Sequence, residues 1–421
     1  MPSSADNEVP KTPASLRPGD NFGRFRLVER IGKGGMAEVF SAVAHGVEGF
    51  ERTFVVKRIR PDKSDSPKFV QMFCEEARIS ARLHHPNIVQ VYDFGQIDGA
   101  YFMVMEHLDG NDLSSVMRAL RARDRAMPPS VAVLIAREIA RALHHAHTLA
   151  LPDGAPGGIL HRDVTPSNIM LLKAGGVKIL DFGLAKAAAL ARVQDAAGKK
   201  PRLAGKLAYM SPELVRGTPI DHRSDIFSLG VVLWEMIAGQ RLFAADSDAD
   251  TLRNVLAQPI AEPSRRRDGV PAVLDTIVAR ALERDPALRY ETAEAFANAL
   301  DQFLVEIPVA DQELPKLLEE LFSADPPRRD DAGESVSATS FSASAASGPT
   351  PARPPEVIFG RGHGPVMFHS IPPIQPPRVP LLTLIGIFSL VVAAVVIVGR
   401  VVIRHQASDQ SSSARSVSTS K

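Results

Sequence analysis

The sequence contains very little cysteine. Cys74 is the only one among 421 residues, which excludes an intramolecular disulfide and a cysteine-rich metal site. It precedes Glu75 and Glu76 within a helical pattern, so we expect an inert, half-buried thiol rather than a nucleophile. Cysteine usage is therefore compatible with a reducing compartment, but it points to no chemistry.

The chain also lacks an excess of either charge. It has 49 basic and 48 acidic side chains, so composition gives no reason to expect nucleic acid as a partner. Residues 1–20 are polar and proline-rich and contain no apolar run, which predicts no signal peptide. We expect residues 1–22 to form a disordered arm.

Only one long apolar run occurs, at residues 379–399 between Arg378 and Arg400. It is long enough to cross a bilayer as a helix. A buried core helix is the alternative, but the preceding stretch 324–378 is rich in Pro, Ser, Ala and Gly and has little capacity to pack around it. We predict a transmembrane helix at 379–400, preceded by a short helix and linker at 307–378 and followed by a polar tail at 401–421.

The most informative stretch is 161–168, which contains Asp163 and Asn168, followed by Asp181 in the triplet Asp-Phe-Gly. Asp163 can accept a proton from a hydroxyl nucleophile. Asn168 and Asp181 offer hard oxygen ligands of the kind that Mg²⁺ prefers. Two apolar runs flank Gly175-Gly176 and predict a hairpin that sets the spacing between them. This arrangement suits phosphoryl transfer, which needs mainly positioning and charge neutralisation.

A glycine-rich segment follows the first strand-like pattern, with Gly32, Gly34 and Gly35 in close succession. A dinucleotide-binding fold is the rival interpretation, because there the glycines open a helix. Here they precede a second strand-like run at 39–43. We therefore expect the glycines to form the tip of a hairpin.

In this order, the motifs resemble those of the eukaryotic-like (Hanks-type) protein kinases over about residues 25–304, and most of all the bacterial membrane-anchored Ser/Thr kinases. The resemblance implies an α+β, bilobal kinase fold at 23–306, with a small β-rich N-lobe and a large helical C-lobe. It implies ATP and Mg²⁺ as cofactors and protein hydroxyls as acceptors. It also implies that Lys57 grips the phosphates and pairs with Glu76, or with Glu75 if the register differs by one.

The resemblance further assigns the residues around ATP. Met105 would be the gatekeeper, with the Glu106 carbonyl and the Leu108 N–H facing adenine, and Val55 and Met170 on either side of the ring. The complete predicted nucleotide set is Ile31, Gly32, Lys33, Gly34, Gly35, Met36, Ala37, Glu38, Val39, Val55, Lys57, Met105, Glu106, Leu108 and Met170. Ala37 stands where the family often has a third glycine.

Support for the site is expected from the large lobe. By resemblance, Glu213 should form a buried ion pair with Arg289, and Asp225 should brace the catalytic loop. Two histidine groups, His84-His85 and the pair His144 and His147, have spacings that a metal could use. We favour a helix end for His84-His85, and packing beneath the catalytic loop for His144 and His147. We assign no function to the insertion at 151–158.

Two positions depart from the family in a reciprocal way. The family usually has Lys two residues after the catalytic Asp, where this chain has Thr165, and a Thr in the segment before Pro-Glu, where it has Lys206. We hypothesise an exchange in which Lys206 supplies the positive charge and Thr165 the hydroxyl, because a lysine stem is long and flexible. The alternative is that Lys206 is a solvated loop residue.

The activation segment contains almost no hydroxyl groups. Residues 184–210 contain no Ser or Thr, and Tyr209 is their only hydroxyl-bearing residue. Arg162 is the family's usual receiver for a phosphate on this segment. We predict a kinase that is not switched by phosphorylation there. Autophosphorylation is instead expected in the tethered linker, at Ser335, Ser337, Thr339, Ser340, Ser342 and Ser344.

These features predict an active Ser/Thr protein kinase, held at the bacterial inner membrane by one helix with the kinase domain in the cytoplasm. A pseudokinase scaffold that binds partners without catalysis is the alternative from another class. Lys57, Asp163 and Asp181 are all present, which disfavours it. A small-molecule phosphotransferase of the same fold is a weaker rival, and a homodimer is left open.

Overall fold

A computed structural model of the chain describes residues 16–46, 49–150, 158–182 and 206–323. Its N-terminal part is a six-stranded antiparallel sheet with the strand order β1-β2-β3-β4-β6-β5. The Gly34 N–H donates to the Ala37 carbonyl at 2.8 Å and closes the expected hairpin tip between the second and third strands. The strands are β1 (Asn21–Phe22), β2 (Phe25–Lys33), β3 (Ala37–His45), β4 (Glu51–Ile59), β5 (Val91–Ile97) and β6 (Ala100–Glu106).

One helix, α1 (Pro67–Ser80), packs against this sheet. Proline in its first turn suits a helix start because its φ is already close to the helical value. Phe73 and Ala77 are one turn apart and bury the same face of the helix as Glu76 and Ser80. The helix therefore presents a carboxylate to the sheet from within an apolar contact surface.

The C-lobe is helical and is built around a nearly completely buried helix, α5 (Arg223–Ala238). A helix that is apolar all round needs neighbours on every side, and α3 (Pro129–Thr148) and α7 (Val273–Ala281) both contact it. The other described helices are α2 (Leu113–Arg121), α3 (Pro129–Thr148), α4 (Pro212–Arg216), α6 (Asp248–Ala257), α7 (Val273–Ala281), α8 (Ala293–Glu306) and α9 (Glu313–Phe322).

A second, three-stranded sheet has the order β7 (Gly110–Asp112), β8 (Ile169–Leu172) and β9 (Val177–Ile179). The predicted hairpin around Gly175-Gly176 is confirmed. The loop after α1 adds to its edge, because the Ile179 N–H donates to the Asn87 carbonyl at 2.8 Å and the Val89 N–H to the Ile179 carbonyl at 3.0 Å. This loop joins the N-lobe to the hairpin that connects Asn168 with Asp181.

The structure corrects the predicted extent of the disordered arm. Asn21–Phe22 forms β1 and pairs with β2, and Phe22 is only 4% exposed. Its ring packs edge-on against Phe102 at a centroid distance of 5.2 Å. Burying an aromatic ring against the sheet is favourable because it removes apolar surface from water. The prediction considered only the polar composition of the arm and therefore missed this strand.

The helical stretch that ends the predicted kinase domain is divided in two. α7 ends at Ala281 and α8 begins at Ala293, with a short 3-10 turn at Pro286–Leu288 between them. Pro286 interrupts the helical pattern because it lacks an N–H. The Thr292 hydroxyl then accepts from the Ala295 N–H at 3.0 Å and caps α8.

The short helix expected within 307–378 is α9, and it belongs to the packed lobe. Four leucines bury one face against the C-lobe core. Arg123 Nη2 donates to the Leu321 carbonyl at 3.0 Å, and Arg125 forms an ion pair with Glu320. The packed chain therefore continues past the predicted boundary at 306.

No helix in the described ranges combines the length and apolar character needed to cross a bilayer. The predicted span at 379–400 lies outside the described residues, as do the linker phosphorylation sites. Most of the activation segment, residues 183–205, and residues 151–157 of the insertion at 151–158 lie outside them as well.

Candidate active site

Lys57 lies between two carboxylates at the junction of the lobes. Its Nζ is 2.6 Å from Glu76 Oε1 and 2.9 Å from Asp181 Oδ1. β4 supplies the lysine and α1 the glutamate, so the pair fixes the helix to the sheet. Glu75 instead accepts a hydrogen bond from Gln71 on the helix surface at 3.0 Å. The predicted register with Glu76 is confirmed.

The charge state of Lys57 is set by this arrangement. Burial lowers the pKa of its ammonium group, but the carboxylates of Asp181 and Glu76 outweigh that effect and hold the pKa above its ordinary value. Lys57 is therefore positively charged throughout the physiological pH range. A fixed cation in a buried cleft attracts phosphate oxygens more strongly than one in open solvent.

Asp163 is held in the loop that precedes the 3-10 turn Pro166–Asn168. Asn168 Nδ2 donates to Asp163 Oδ2 at 2.6 Å and to the Asp163 carbonyl at 2.7 Å. The side-chain hydrogen bonds of Asn168 thus come from its amide nitrogen, which leaves the amide oxygen as the end that suits a cation. Both residues are buried, so their relative position is fixed before any substrate binds.

Asp225 braces this loop from the start of α5, as predicted. Its carboxylate accepts the N–H groups of His161 and Arg162, both at 2.8 Å. Arg162 adopts a left-handed φ of 61°, an unfavourable conformation for a non-glycine residue that such hydrogen bonds can sustain. The loop geometry around Asp163 therefore depends on a carboxylate more than sixty residues further along the chain.

The predicted packing of His147 beneath the catalytic loop is observed. Its Nε2 lies 2.8 Å from Asp225 Oδ2. Burial raises the pKa of Asp225, but the hydrogen bond and charge of His147, together with His161, keep that pKa below its ordinary value. His144 instead lies 3.5 Å from Glu294. Within the described ranges, no group of three or more His, Cys, Asp or Glu side chains is arranged to hold a metal ion.

Asp181, like Arg162, has a left-handed backbone conformation, and this positions its side chain. Its φ is 42°, and the following Phe182 packs beneath His161 at a ring distance of 4.7 Å. His161 Nε2 donates to the Leu180 carbonyl at 2.8 Å. These contacts turn the chain after β9 so that the Asp181 carboxylate faces Lys57.

The predicted adenine-contacting residues belong to one apolar cluster between the lobes. Val55, Met105, Leu108 and Met170 are buried in it, and Ile31 and Val39 pack against it. β4 and β6 are neighbours, with Val55 opposite Met105. Met170 comes from β8 on the other side of the cleft. This composition suits a flat aromatic base.

The hinge after β6 carries an ion pair that sequence reasoning missed. Glu106 Oε1 accepts from Lys178 Nζ at 2.7 Å and from the Gln90 N–H at 2.7 Å. Lys178 lies on β9, between the metal-ligand candidates. The contact could not be read from the sequence, since the three residues lie on separate elements.

The glycine-rich tip is anchored from below. Arg60 Nη1 donates to the Gly34 carbonyl at 3.2 Å, and the Arg60 N–H donates to the Met36 carbonyl at 3.0 Å. Glu38 forms weak ion pairs with Lys33 at 3.7 Å and Arg30 at 3.9 Å. Gly32 and Lys33 end β2 and Ala37 begins β3, so the predicted loop residues belong to one hairpin. Its second strand, β3, pairs with β4 and has Val39 opposite Lys57.

The reciprocal departures meet at the catalytic loop. Lys206 Nζ lies 3.3 Å from Asp163 Oδ2, and the lysine side chain is 24% exposed. The Thr165 hydroxyl lies 3.0 Å from the Ser167 hydroxyl. Lys206 therefore brings a positive charge to the carboxylate from the end of the activation segment.

Two buried hydrogen-bond networks hold the end of the activation segment, around Tyr209 and Glu213. Glu213 accepts from Arg289 Nη1 and Nη2, both at 2.7 Å, which confirms the predicted pair. Burial raises the Glu213 pKa, but the hydrogen bonds from Arg289 and Ser224 bring it below its ordinary value. The Tyr209 hydroxyl donates to Glu235 Oε2 at 2.7 Å.

Comparison with known proteins agrees with this geometry. A sequence model described as the protein kinase domain matches residues 25–337, and the chain belongs to the protein kinase family. Protein kinases use ATP and Mg²⁺. The Lys57 cation, the oxygens of Asn168 and Asp181 and the apolar cluster between the lobes fit those groups.

Several bacterial relatives are similar to the chain. The tyrosine-protein kinase MasK of Myxococcus xanthus strain DK1622 is 40% identical over 306 residues, which cover 72% of this chain and 47% of MasK. The serine/threonine-protein kinase PknB of Mycobacterium leprae strain TN is 36% identical over 276 residues, which cover 64% of this chain and 41% of PknB. The chain thus spans less than half the length of these relatives.

A solved structure shows the same fold. The kinase domain of Mycobacterium tuberculosis PknI has a TM-score of 0.51 and 27% sequence identity, covering 68% of this chain and 99% of the solved chain. The predicted bilobal α+β kinase architecture, with a sheet-rich N-lobe and a helical C-lobe, is confirmed.

Proposed function

We propose that this chain is a protein serine/threonine kinase that transfers the γ-phosphoryl group of ATP to protein hydroxyls. The observation that carries this proposal is the position of Lys57 between Glu76 and Asp181, at 2.6 and 2.9 Å. A scaffold that never binds nucleotide phosphates has no need for a buried ammonium group at the mouth of an apolar cleft. The names of PknB and related kinases support the Ser/Thr assignment.

Each residue of the site has a separate role in the proposed reaction. ATP supplies the phosphoryl group and Mg²⁺ neutralises its charge when both are bound. Lys57, held by Glu76, binds phosphate oxygens, and Asn168 and Asp181 offer oxygen ligands to the metal. Asp163, oriented by Asn168, accepts the proton of the substrate hydroxyl. Lys206 supplies the charge that Thr165 does not.

A second acceptor class is favoured by one specific observation. MasK, 40% identical to this chain, is named a tyrosine-protein kinase. Thr165 also replaces the lysine that the Ser/Thr kinases usually carry. Tyrosine is therefore retained as a second candidate acceptor. The pseudokinase alternative is disfavoured, because Lys57, Asp163, Asn168 and Asp181 are all present and correctly grouped.

Transfer of labelled γ-phosphate from ATP tests the proposal. The full-length chain is incubated with Mg²⁺ and a generic protein substrate, with Asp163→Asn as the matched control. We expect transfer by the wild type and loss of at least about a hundredfold in the variant. Hydrolysis of the labelled product and identification of the phosphoamino acid then separate Ser/Thr from Tyr.

The outcomes are distinct. Phosphate found on serine and threonine supports the proposal, and phosphate found only on tyrosine replaces it with the second candidate. Equal labelling by the wild type and by Asp163→Asn would show that the transfer does not depend on this site. An absence of transfer in both, with ATP binding retained, would favour the scaffold.

We also propose that residues 379–400 tether the chain to the bacterial inner membrane, with the kinase domain in the cytoplasm. The support is the length and apolar character of 379–399 in the sequence, together with the need of Lys57 and Asp163 for ATP. A reporter fused after Lys421 should be found on the far side of the membrane. A cytoplasmic reporter would contradict the spanning arrangement and favour a surface-bound helix.

A further inference from the structure

Two histidines from different elements meet where the loop after α1 reaches α3. The ring of His85, on that loop, and the ring of His145, near the end of α3, have centroids 5.2 Å apart and planes inclined by 32°. We call this pair the histidine contact. It joins the segment that follows the N-lobe helix to a helix of the C-lobe, and the proposed reaction does not use it.

The loop that carries His85 is hydrogen-bonded to the strand that leads to the metal-ligand candidate Asp181. Asn87 Nδ2 donates to the Val177 carbonyl at 2.9 Å, and the Ile179 N–H donates to the Asn87 carbonyl at 2.8 Å. β9 ends two residues before Asp181. A displacement of this loop would therefore disturb the strand that positions the Asp181 carboxylate.

The hydrogen bond that the His85 ring accepts requires a neutral ring. The Asn87 backbone nitrogen donates to His85 Nδ1 at 3.2 Å. An imidazolium ring has donors at both nitrogens and no acceptor. Protonation of His85 therefore replaces this hydrogen bond with two N–H groups that face each other, at the start of the loop.

The His145 ring is also placed for a neutral state. Within the described ranges its Nε2 is buried and has no hydrogen-bond partner. In a charged ring this atom would be a buried N–H without an acceptor, which is costly. Two charged rings at a centroid distance of 5.2 Å would also repel each other. The histidine contact therefore suits two neutral rings.

The charged groups that face His85 favour the same state. Burial lowers the pKa of His85, and the nearby His145 lowers it further, as do Lys178 on β9 and Arg141 on α3. Glu138 on α3 raises that pKa, but its carboxylate is already paired with two arginines of its own helix, at 2.6 and 3.5 Å. His85 therefore stays neutral to a lower pH than an ordinary histidine.

The direction of the pH effect follows from this lowered pKa. The ordinary pKa of histidine is 6.5, so the unfolded chain takes up a proton at His85 before the folded chain does. The neutral ring stabilises the fold fully above pH 6.5. That contribution is lost as the pH falls from 6.5 through the folded-state pKa.

We propose that the histidine contact makes this kinase sensitive to acid: two neutral rings hold the loop at 85–89 against α3 and β9, and protonation releases the loop and slows phosphoryl transfer. This inference rests on the proposed kinase function. Histidine is the side chain that ordinarily changes its charge between about pH 5 and pH 8. The effect should appear in kcat at saturating ATP, because the loop acts through the position of Asp181.

The first test is urea unfolding of the full-length chain at pH 7.5 and 5.5. The variant His85→Asn/His145→Phe removes both titrating rings, but its asparagine can still accept from the Asn87 N–H. Between the two pH values, the unfolding equilibrium constant of the wild type should rise about tenfold more than that of the variant. The control His144→Phe changes the neighbouring histidine of α3 and should behave like the wild type.

The second test compares the same proteins in phosphoryl transfer at pH 7.5 and 5.5. The wild type should lose about threefold more of its kcat than the double variant. Any titration of Asp163 is common to both proteins and cancels in this comparison. Hydrogen exchange of the backbone amides at 177–180 shows whether the loop is released. Their protection should fall at pH 5.5 in the wild type and the control, and less in the double variant.

Each outcome decides for or against the inference. An equal pH dependence of unfolding and kcat in the wild type and the double variant overturns it, and so does a difference in unfolding without one in kcat or protection. If the double variant does not fold at pH 7.5, His145→Phe alone takes its place with the same expectations. An absence of phosphoryl transfer at both pH values removes the kinase function and the control of it, whereas unfolding and exchange still report the release of the loop.

Discussion

Two lysines approach carboxylates of the site, and they do so in different ways. Lys57 is 9% exposed and touches two acids, at 2.6 and 2.9 Å. Lys206 is 24% exposed and lies 3.3 Å from one acid, Asp163. Lys57 sits within a six-stranded sheet, whereas Lys206 precedes a short 3-10 turn at Leu207–Tyr209.

The two lysines therefore differ in how firmly each one is held beside its carboxylate. Breaking a buried ion pair leaves an uncompensated charge, which is costly. A longer, more exposed pair is screened by solvent and contributes little to stability. Lys57 is therefore part of the folded framework, whereas the contact of Lys206 with Asp163 depends on where the activation segment lies.

The largest effect should come from Lys57→Met. Removal of the ammonium group deprives the phosphates of their buried cation, and we expect phosphoryl transfer to fall about a hundred- to a thousandfold. The control is Lys173→Met, which breaks an exposed pair with Asp109 and should change the rate less than about twofold. Thermal unfolding of both variants checks the fold. Comparable losses in the two would show that burial does not distinguish these lysines.

An intermediate effect should come from Glu76→Gln, measured as stability against pH. The folded-state pKa of Lys57 lies above its ordinary value of 10.5, so its charge stabilises the fold at every pH below 10.5. That contribution is lost as the pH rises from 10.5 through the folded-state pKa. The variant should be less stable by about 2 kcal/mol near neutral pH.

Above pH 10.5 the wild type should also lose stability more steeply than Glu76→Gln, because the variant has a lower Lys57 pKa in the folded state. Urea unfolding at neutral and alkaline pH measures both slopes. Parallel slopes would mean that Glu76 does not control the ionisation of Lys57.

The smallest effect should come from exchanging Thr165 and Lys206. Thr165→Lys and Lys206→Thr should each lower phosphoryl transfer by about tenfold, and the double variant should recover most of that loss, because the charge and the hydroxyl are both restored. A double-mutant cycle on kcat/KM measures the coupling. If the two losses add, the hypothesis of an exchange is wrong and Lys206 acts independently of Thr165.

Much of the site could be predicted from the chain because its parts are local. Asp163 and Asn168 lie within one loop, and a short hairpin connects them to Asp181. The pairing of Lys57 with Glu76 followed from the resemblance to protein kinases. The ion pair between Glu213 and Arg289 was found in the same way, and the structure shows it at 2.7 Å.

Other features could not be predicted, because their partners are far apart and carry no motif. The contact between Lys57 and Asp181 depends on a left-handed turn at Asp181. The docking of α9 on α2 depends on Arg123 and Arg125, which look like ordinary surface residues in sequence.

The sequence by itself determined most of the strands and helices, because dihedral preferences and apolar periodicity act over a few neighbouring residues, and its resemblance to protein kinases assigned the residues around the cleft. Only the tertiary structure decided which further charged and polar groups meet: Glu106 with Lys178, His147 with Asp225, and Arg241 with Tyr209 and Glu235. The physical reason is that Coulomb interactions and hydrogen bonds depend on distance in space, and for residues far apart in the chain that distance is set by packing.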